Sequence, residues 1–236
     1  MSASVSTVSD VQGRRDGQAG SSGSARRRRY RSALRDERAA DTRGRIAAAA
    51  RELFATRGFA GTTVALIAEH AGVATPTVYA VFSSKGEIMR ELVSRLETEA
   101  DGEDWRARIE AEPDPRRKLE WYAAWHRTLF ATGRDVLAAA LNAGGDPAVL
   151  DLREQGDRNA QAWLEPIIDA LAAADMLAPG LTQQQAVDRG LMLSSLELYF
   201  RATNGRGWSD EAYQQWLTEL LHHQLLVTPG VPDGKN

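Results

Sequence analysis

Residues 72–87 read GVATPTVYAVFSSKGE, and two different chemistries alternate along them. Thr75 reads as a helix cap, with Pro76 at the first helical position, where a missing backbone N–H costs little. The short helix that follows reaches about Phe82. Val78 and Phe82 lie four residues apart and so share one face. Thr75, Thr77, Ala80 and part of Tyr79 fall on the other. The first face suits a core. Threonine and tyrosine hydroxyls on the second suit phosphate oxygens, and a threonine methyl can also touch a thymine methyl. Ser84 and Glu87 then have the spacing of a capping box, which opens a further helix through Ile88, Leu92 and Leu96. Lys85 sits in its first turn, where unpaired N–H groups attract an anion and the ammonium adds charge.

Upstream, DTRGRIAAAARELFATRGF places Ile46, Ala49, Ala50, Leu53 and Phe54 at helical spacing, and Gly58 supplies the stop. TTVALIAEHAG then gives Val64, Ile67, Ala68 and Ala71 one face, with Thr62 or Thr63 as N-cap and Gly72 at the end. Helices over 63–71 and 75–82, joined by Gly72-Val73-Ala74, have the length and turn of a helix-turn-helix. In that motif the second helix enters the major groove. Val78 and Phe82 are expected to pack on Val64, Ile67, Leu53 and Phe54.

Charge along the chain supports a polyanion-binding head on a different kind of body. The formal charge is −3, yet residues 1–40 carry +5, residues 41–92 carry +1 and the remainder carries −9. The first 40 residues are rich in Ser, Gly, Arg and Ala. They are expected to be disordered, either as a DNA-touching arm or as a solubilising leader. There is no cysteine, hence no disulfide or thiolate metal site. No apolar run approaches the ~18 residues of a membrane span. A cytoplasmic protein that does not enter a membrane is expected.

The rest reads as helices over 114–132, 134–143, 147–177, 182–204 and 209–227, with Pro166 expected to kink or split the third. The expected organisation is therefore all-α: an arm (1–40), a three-helix, homeodomain-like helix-turn-helix head (41–93), a helical effector-binding and dimerisation domain (94–227) and a flexible tail (228–236). In the segment WYAAWHRTLF, Trp121, Trp125 and Leu129 share a stripe, with Tyr122 and His126 beside it. Such a wall suits an apolar or aromatic small molecule, and it equally suits a core. Glu197 is a second candidate polar group there, or a partly exposed acid. Near the C-terminus, Tyr213, Trp216, Leu217, Leu220, Leu221 and Leu225 form a broad stripe, and the run over 191–200 is apolar almost all round. With Leu191 and Leu198 they are expected to meet a second subunit; an intramolecular bundle is the alternative. His70, His126, His222 and His223 lack metal-ligand spacing, and no GxSxG, P-loop or dinucleotide glycine pattern occurs. No catalytic residue, metal or cofactor is expected. A ligand-independent DNA binder, or an enzyme built on the helical domain, are the rival readings.

The run RIAAAARELFATRGFAGTTVALIAEHAGVATPTVYAVFSSKGEIMRELV resembles the DNA-binding domain of TetR-family transcriptional regulators, over about residues 43–93 and without a gap. Residues 191–226 are similar to the last two helices of many members. The resemblance implies a homodimer on a near-palindromic operator of double-stranded DNA, most often a repressor. It also implies a helical body that dimerises through a four-helix bundle and often holds a small effector whose binding releases DNA. Its DNA-contacting positions fall on Thr63, Thr75, Thr77, Tyr79 and Lys85, and on the variable Pro76 and Ala80; Thr62 joins them from the reading of the helix start. The sequence departs from the family in Ala80 and Val81, where polar or aromatic residues are common, and in Thr75-Pro76, where Lys-Gly or Arg-Gly is frequent. Fewer long side chains therefore reach base edges.

Overall fold

The computed structural model describes residues 20–227, and all regular elements among them are helical. In order they are α1 (Gly20–Arg57), α2 (Val64–Ala71), α3 (Thr75–Val81), α4 (Lys85–Glu99), α5 (Gly102–Ala111), α6 (Pro115–Thr132), α7 (Arg134–Leu141), α8 (Pro147–Ala173), α9 (Gln183–Leu193), α10 (Leu196–Arg206) and α11 (Asp210–Leu225). The one pairing of extended backbone is an isolated bridge between Leu177 and Leu226.

The described residues fall into two compact units that divide between Arg45 and Ile46. In the first, α1 is already helical at Gly20, which corrects the expectation of disorder for residues 20–40; residues 1–19 and the tail beyond 227 lie outside the described residues. Residues 35–41 are all exposed, so this turn-by-turn order comes from local propensity. Alanine and arginine are good helix formers, and Arg45 reaches Asp41 at i,i+4.

The second unit has two apolar clusters. Around the head, Ile46, Ala50 and Phe54 of α1 pack with Ile67 of α2, Val78 of α3, Phe82, and Ile88, Met89 and Leu92 of α4. Val78 and Phe82 thus turn inward as their spacing requires. This cluster does not stop near residue 93: Leu96, Val136, Ala139, Ala140 and Val149 belong to it, so α7 and the start of α8 seal the underside of the head. At that seam Gly86 is obligatory, because a Cβ there would lie 2.4 Å from the Cβ of Ala148.

The body cluster centres on α6, with Leu119, Tyr122 and Trp125 against Trp163, Leu164 and Ile168 of α8, Tyr199 of α10 and the stripe of α11. Tyr213, Leu217, Leu221 and Leu225 are fully buried within the chain, each worth roughly 1.5–3 kcal/mol of burial. Three features depart from the sequence reading. Helix α5 was not expected; it follows Asp101, which holds a left-handed φ of 57°, and Ile109 is its one fully buried large side chain. The run over 182–204 divides at Ser194, whose hydroxyl donates to the Gly190 carbonyl at 2.8 Å, while Ser195 turns extended as the cap of α10. Helix α8 runs unbroken through Pro166, whose ring faces outward.

Candidate nucleic-acid interface

Helices α2 and α3 meet at a bend of 102°, inside the range of a helix-turn-helix. Gly72 makes the turn in the left-handed region, and its N–H and that of Val73 bond back to the Glu69 and Ala68 carbonyls at 3.1 and 3.0 Å. Helix α3 begins one residue earlier than its sequence suggests. Ala74 occupies the cap without a side-chain bond, Thr75 is the first helical residue, and Pro76 the second. With Val78 buried, α3 presents Pro76, Tyr79 and Ala80 to solvent, with Thr75 and Thr77 half-buried at the borders of that face. Tyr79 is 55% exposed, an unusual position for so large a ring.

The residues flanking α3 divide their work differently from the sequence reading. Thr63 is the cap of α2, its hydroxyl accepting from the Leu66 N–H at 3.2 Å while its side chain stays exposed. The O–H hydrogen remains a donor toward a phosphate. Thr62 is buried, and its hydroxyl bonds to the Gly58 and Leu53 carbonyls at 2.8 and 3.2 Å. It pins the turn and has no surface to offer DNA. Lys85 also turns inward. Its ammonium donates to the Phe59 and Thr62 carbonyls at 2.6 and 2.9 Å and lies 4.2 Å from the centre of the Phe59 ring. Burial holds its pKa below the ordinary lysine value, against the opposing charge of Asp146. In this conformation Lys85 ties the α1–α2 turn to the start of α4, positioning Thr63. The capping box is half made: Ser84 accepts from the Glu87 N–H at 3.1 Å, but the Glu87 carboxylate pairs with Arg90.

In the body, the aromatic residues read as a ligand wall are packed on one another. Trp125 stacks on Trp163 at 4.7 Å between centroids; separately, Tyr122, His126, Phe130 and Tyr199 form a column at 4.1, 5.5 and 5.3 Å. Tyr122, Trp125 and His126 are buried. Trp121 parts from them, resting by Trp105 with its indole N–H toward Glu112. Leu129 is half-buried, and Glu197 is exposed in the first turn of α10. None of these six lines the small cleft of about 60 Å³ between α5, α6 and α8, which is bounded by Arg106, Ile109, Lys118, Trp163 and Pro166 among others. Buried polar groups do accompany the column. The Tyr122 hydroxyl donates to Ser194 at 3.0 Å, and the Tyr213 hydroxyl has no partner.

For the expected dimer surface, the same burial is decisive. Tyr213, Leu217 and Leu221 face α6 and α9 inside the chain and cannot meet a second copy. Leu191, Leu198, Trp216 and Leu220 are half-buried, and Met192 and Trp208, absent from the sequence reading, are 69% and 40% exposed. Among the described residues, no three His, Cys, Asp or Glu side chains could hold a metal, and no single helix is long and apolar enough to cross a membrane.

A buried flank of α3 fixed to the protein, with hydroxyls on the opposite flank, defines a helix-turn-helix DNA-binding regulator. Residues 46–92 match the model of bacterial regulatory proteins of the tetR family. That segment is a TetR-family DNA-binding domain, and the chain carries the head of a DNA-binding transcriptional regulator. Its fold is similar to that of NalD from Pseudomonas aeruginosa, the secondary repressor of the MexAB-OprM multidrug efflux pump. The TM-score is 0.65 at 22% identity, covering 80% of this chain and 98% of that one. A protein from Saccharomonospora viridis solved in complex with choline is similar at TM-score 0.65 and 20% identity, over 80% and 100% of the two chains. FadR from Bacillus subtilis, solved with stearoyl-CoA, is similar at 0.63 and 19%, over 75% and 96%. None of the curated proteins matches the sequence.

Proposed function

We propose that two copies of this chain bind a near-palindromic duplex as a repressor, and that a small molecule taken up by the helical body releases them. The observation that carries the reading is the division of α3: Val78 is anchored in the core while Tyr79 stands exposed, with the half-buried Thr75 and Thr77 bordering the open face. Thr77 reads bases, and Thr63, Thr75 and Tyr79 hold phosphates. Dimerisation is supported by the apolar groups left on the outer surface of α9–α11, namely Met192, Leu198, Trp208, Trp216 and Leu220. Half-sites then lie about one helical turn apart, ~34 Å, so a modest rotation of each head breaks simultaneous engagement. An effector does this only if it prefers the non-binding arrangement. The regulator acts where the DNA is, in the cytoplasm. Residues 1–40 add sequence-independent affinity through their arginines; deleting them should lower the salt dependence of binding.

The test is a mobility shift on duplexes selected by the full chain from a random pool, together with the DNA upstream of its own coding sequence. Selective, salt-sensitive binding is expected, and equal affinity for every duplex refutes the reading. The filled aromatic column favours one rival, a dimer that binds DNA without any effector. Small apolar and aromatic compounds that neither raise the melting temperature nor release DNA would establish that rival.

A further inference from the structure

Arg51 is a cation that joins the head to the body through several elements at once. It projects from α1, within the second compact unit, and four of its contacts reach other elements. Its Nε and Nη2 donate side by side to the two carboxylate oxygens of Asp135 at 2.7 and 3.0 Å. Nη1 donates to Glu99 at 3.0 Å, and Nη2 also reaches the Thr132 carbonyl at 3.4 Å. Asp135 opens α7, Glu99 closes α4 and Thr132 ends α6, so one planar group holds three elements against α1. A guanidinium can do this because its donors form a rigid fork; an ammonium is a point charge. Burial alone would push the Asp135 carboxyl up, but the bonds and charge of Arg51 hold it below the ordinary value.

The rest of the seam shows what this grip restrains. At the other end of α4, Gly86 lies against Ala148, and Arg90 reaches Asp151 of α8 at 3.1 Å. Beside the apolar packing of Leu96, Val136, Ala139, Ala140 and Val149, polar contacts thus tie head to body at each end of α4. Apolar packing is non-directional, so it is the charged fork at the Arg51 end that sets the angle of α1 on this seam. Arg51 shares α1 with Ile46, Ala50 and Phe54, which belong to the same core cluster as Val78 of α3. A restraint on α1 is thus a restraint on the recognition helix. The side chain is 31% exposed and its partners are similarly open, which suits a contact that sets orientation more than one that holds the fold.

Building on the two-headed reading above, we infer that Arg51 is a positioning residue for DNA recognition: its grip on Asp135 and Glu99 fixes the angle at which α3 is presented, and thereby the half-site spacing the dimer accepts. The residue touches no DNA. Its loss relaxes spacing selectivity without changing what a single head reads.

The experiment uses the full chain and duplexes that the wild type selects from a random pool, each remade with one base pair inserted or removed between half-sites. Arg51→Gln and Asp135→Asn should lower the ratio of affinities for native over altered spacing by about fivefold or more. Both should bind a single half-site as the wild type does, and Arg51→Lys should fall between. Melting curves identify any variant that fails to fold, and Asp135→Asn leaves α1 untouched. An unchanged spacing ratio, or a uniform loss at every spacing, overturns the inference while leaving the DNA-binding reading intact. A wild type that selects no duplex overturns both.

Discussion

Acidification from pH 7 to 4 should cost this fold about 3 kcal/mol through one side chain, His126. The ring is 3% exposed and lies between Tyr122 and Phe130 at 4.1 and 5.5 Å. Its Nδ1 is 3.0 Å from the Tyr122 carbonyl, which can only accept, so the neutral ring carries its hydrogen there. Burial among aromatic rings disfavours the imidazolium and takes the pKa down to about 4, with the carbonyl bond opposing to a smaller extent. In the unfolded chain histidine titrates near ~6.5. The unfolded state therefore takes up the proton first. Stability is complete above ~6.5, falls as the pH drops toward ~4, and is not lost further below that. The gap between ~6.5 and about 4, at ~1.4 kcal/mol for each tenfold change in proton affinity, gives the stated magnitude, against a typical total of about 5–15 kcal/mol. Asp135, with its pKa depressed, contributes stability that starts to be lost near the ordinary carboxylate value of ~3.9, at the acid edge of this window, and continues below it. The assay is urea unfolding followed by tryptophan fluorescence, for wild type and His126→Leu, at fixed protein concentration because a dimer's stability depends on it. Whatever the substitution does at pH 7, the difference between the two proteins should change by about 3 kcal/mol by pH 4. A difference that stays constant with pH refutes the reasoning, since it would mean the ring is solvated or already paired in the fold.

Tyr79→Phe removes one exposed hydroxyl and should weaken binding to all duplexes by roughly 1 kcal/mol, whereas Thr77→Ala should alter base preference in a selection experiment; equal loss from both on every sequence would count against the assignment of roles. Lys85→Met takes the ammonium from two carbonyls, of which that of Phe59 keeps the Thr62 N–H at 3.3 Å, and should lower stability by about 1–3 kcal/mol in thermal melts, with the salt dependence of DNA binding nearly unchanged. A salt slope reduced by about one whole unit would instead make Lys85 a phosphate contact. Gly86→Ala forces a methyl onto Ala148, and overpacking of this kind costs about 1–3 kcal/mol; a melting temperature at or above that of the wild type would show that the seam yields.

The head was legible because its signals are local. Thr63, Gly72 and the Val78–Phe82 pair act within a few residues of themselves, and the fold follows their spacing. What the sequence hid depends on distance along the chain. Thr62 looks like its neighbour until the carbonyls of Leu53 and Gly58 are brought to it, and Lys85 looks like a phosphate ligand until Phe59 folds beneath it. Arg51 and Asp135 are 84 positions apart, with nothing local to link them. An apolar stripe announces that it will be covered but not by what: Tyr213, Leu217 and Leu221 went to α6 and α9 of their own chain. Helix α5 was missed for the opposite reason, having too little apolar surface to show a period. The break at Ser194 was masked by leucines on both sides.

The closed column from Tyr122 to Tyr199 sets terms for anything that would enter the body. A guest must find the rings already parted, so its measured affinity is its intrinsic affinity multiplied by the fraction of molecules ajar. If one molecule in a hundred is open, the apparent dissociation constant is about a hundredfold weaker than the fit alone would give. Sensitivity to an inducer would then be adjustable at residues the inducer never meets: trimming Phe130 loosens the stack and sharpens the response, with the guest's own contacts left as they were.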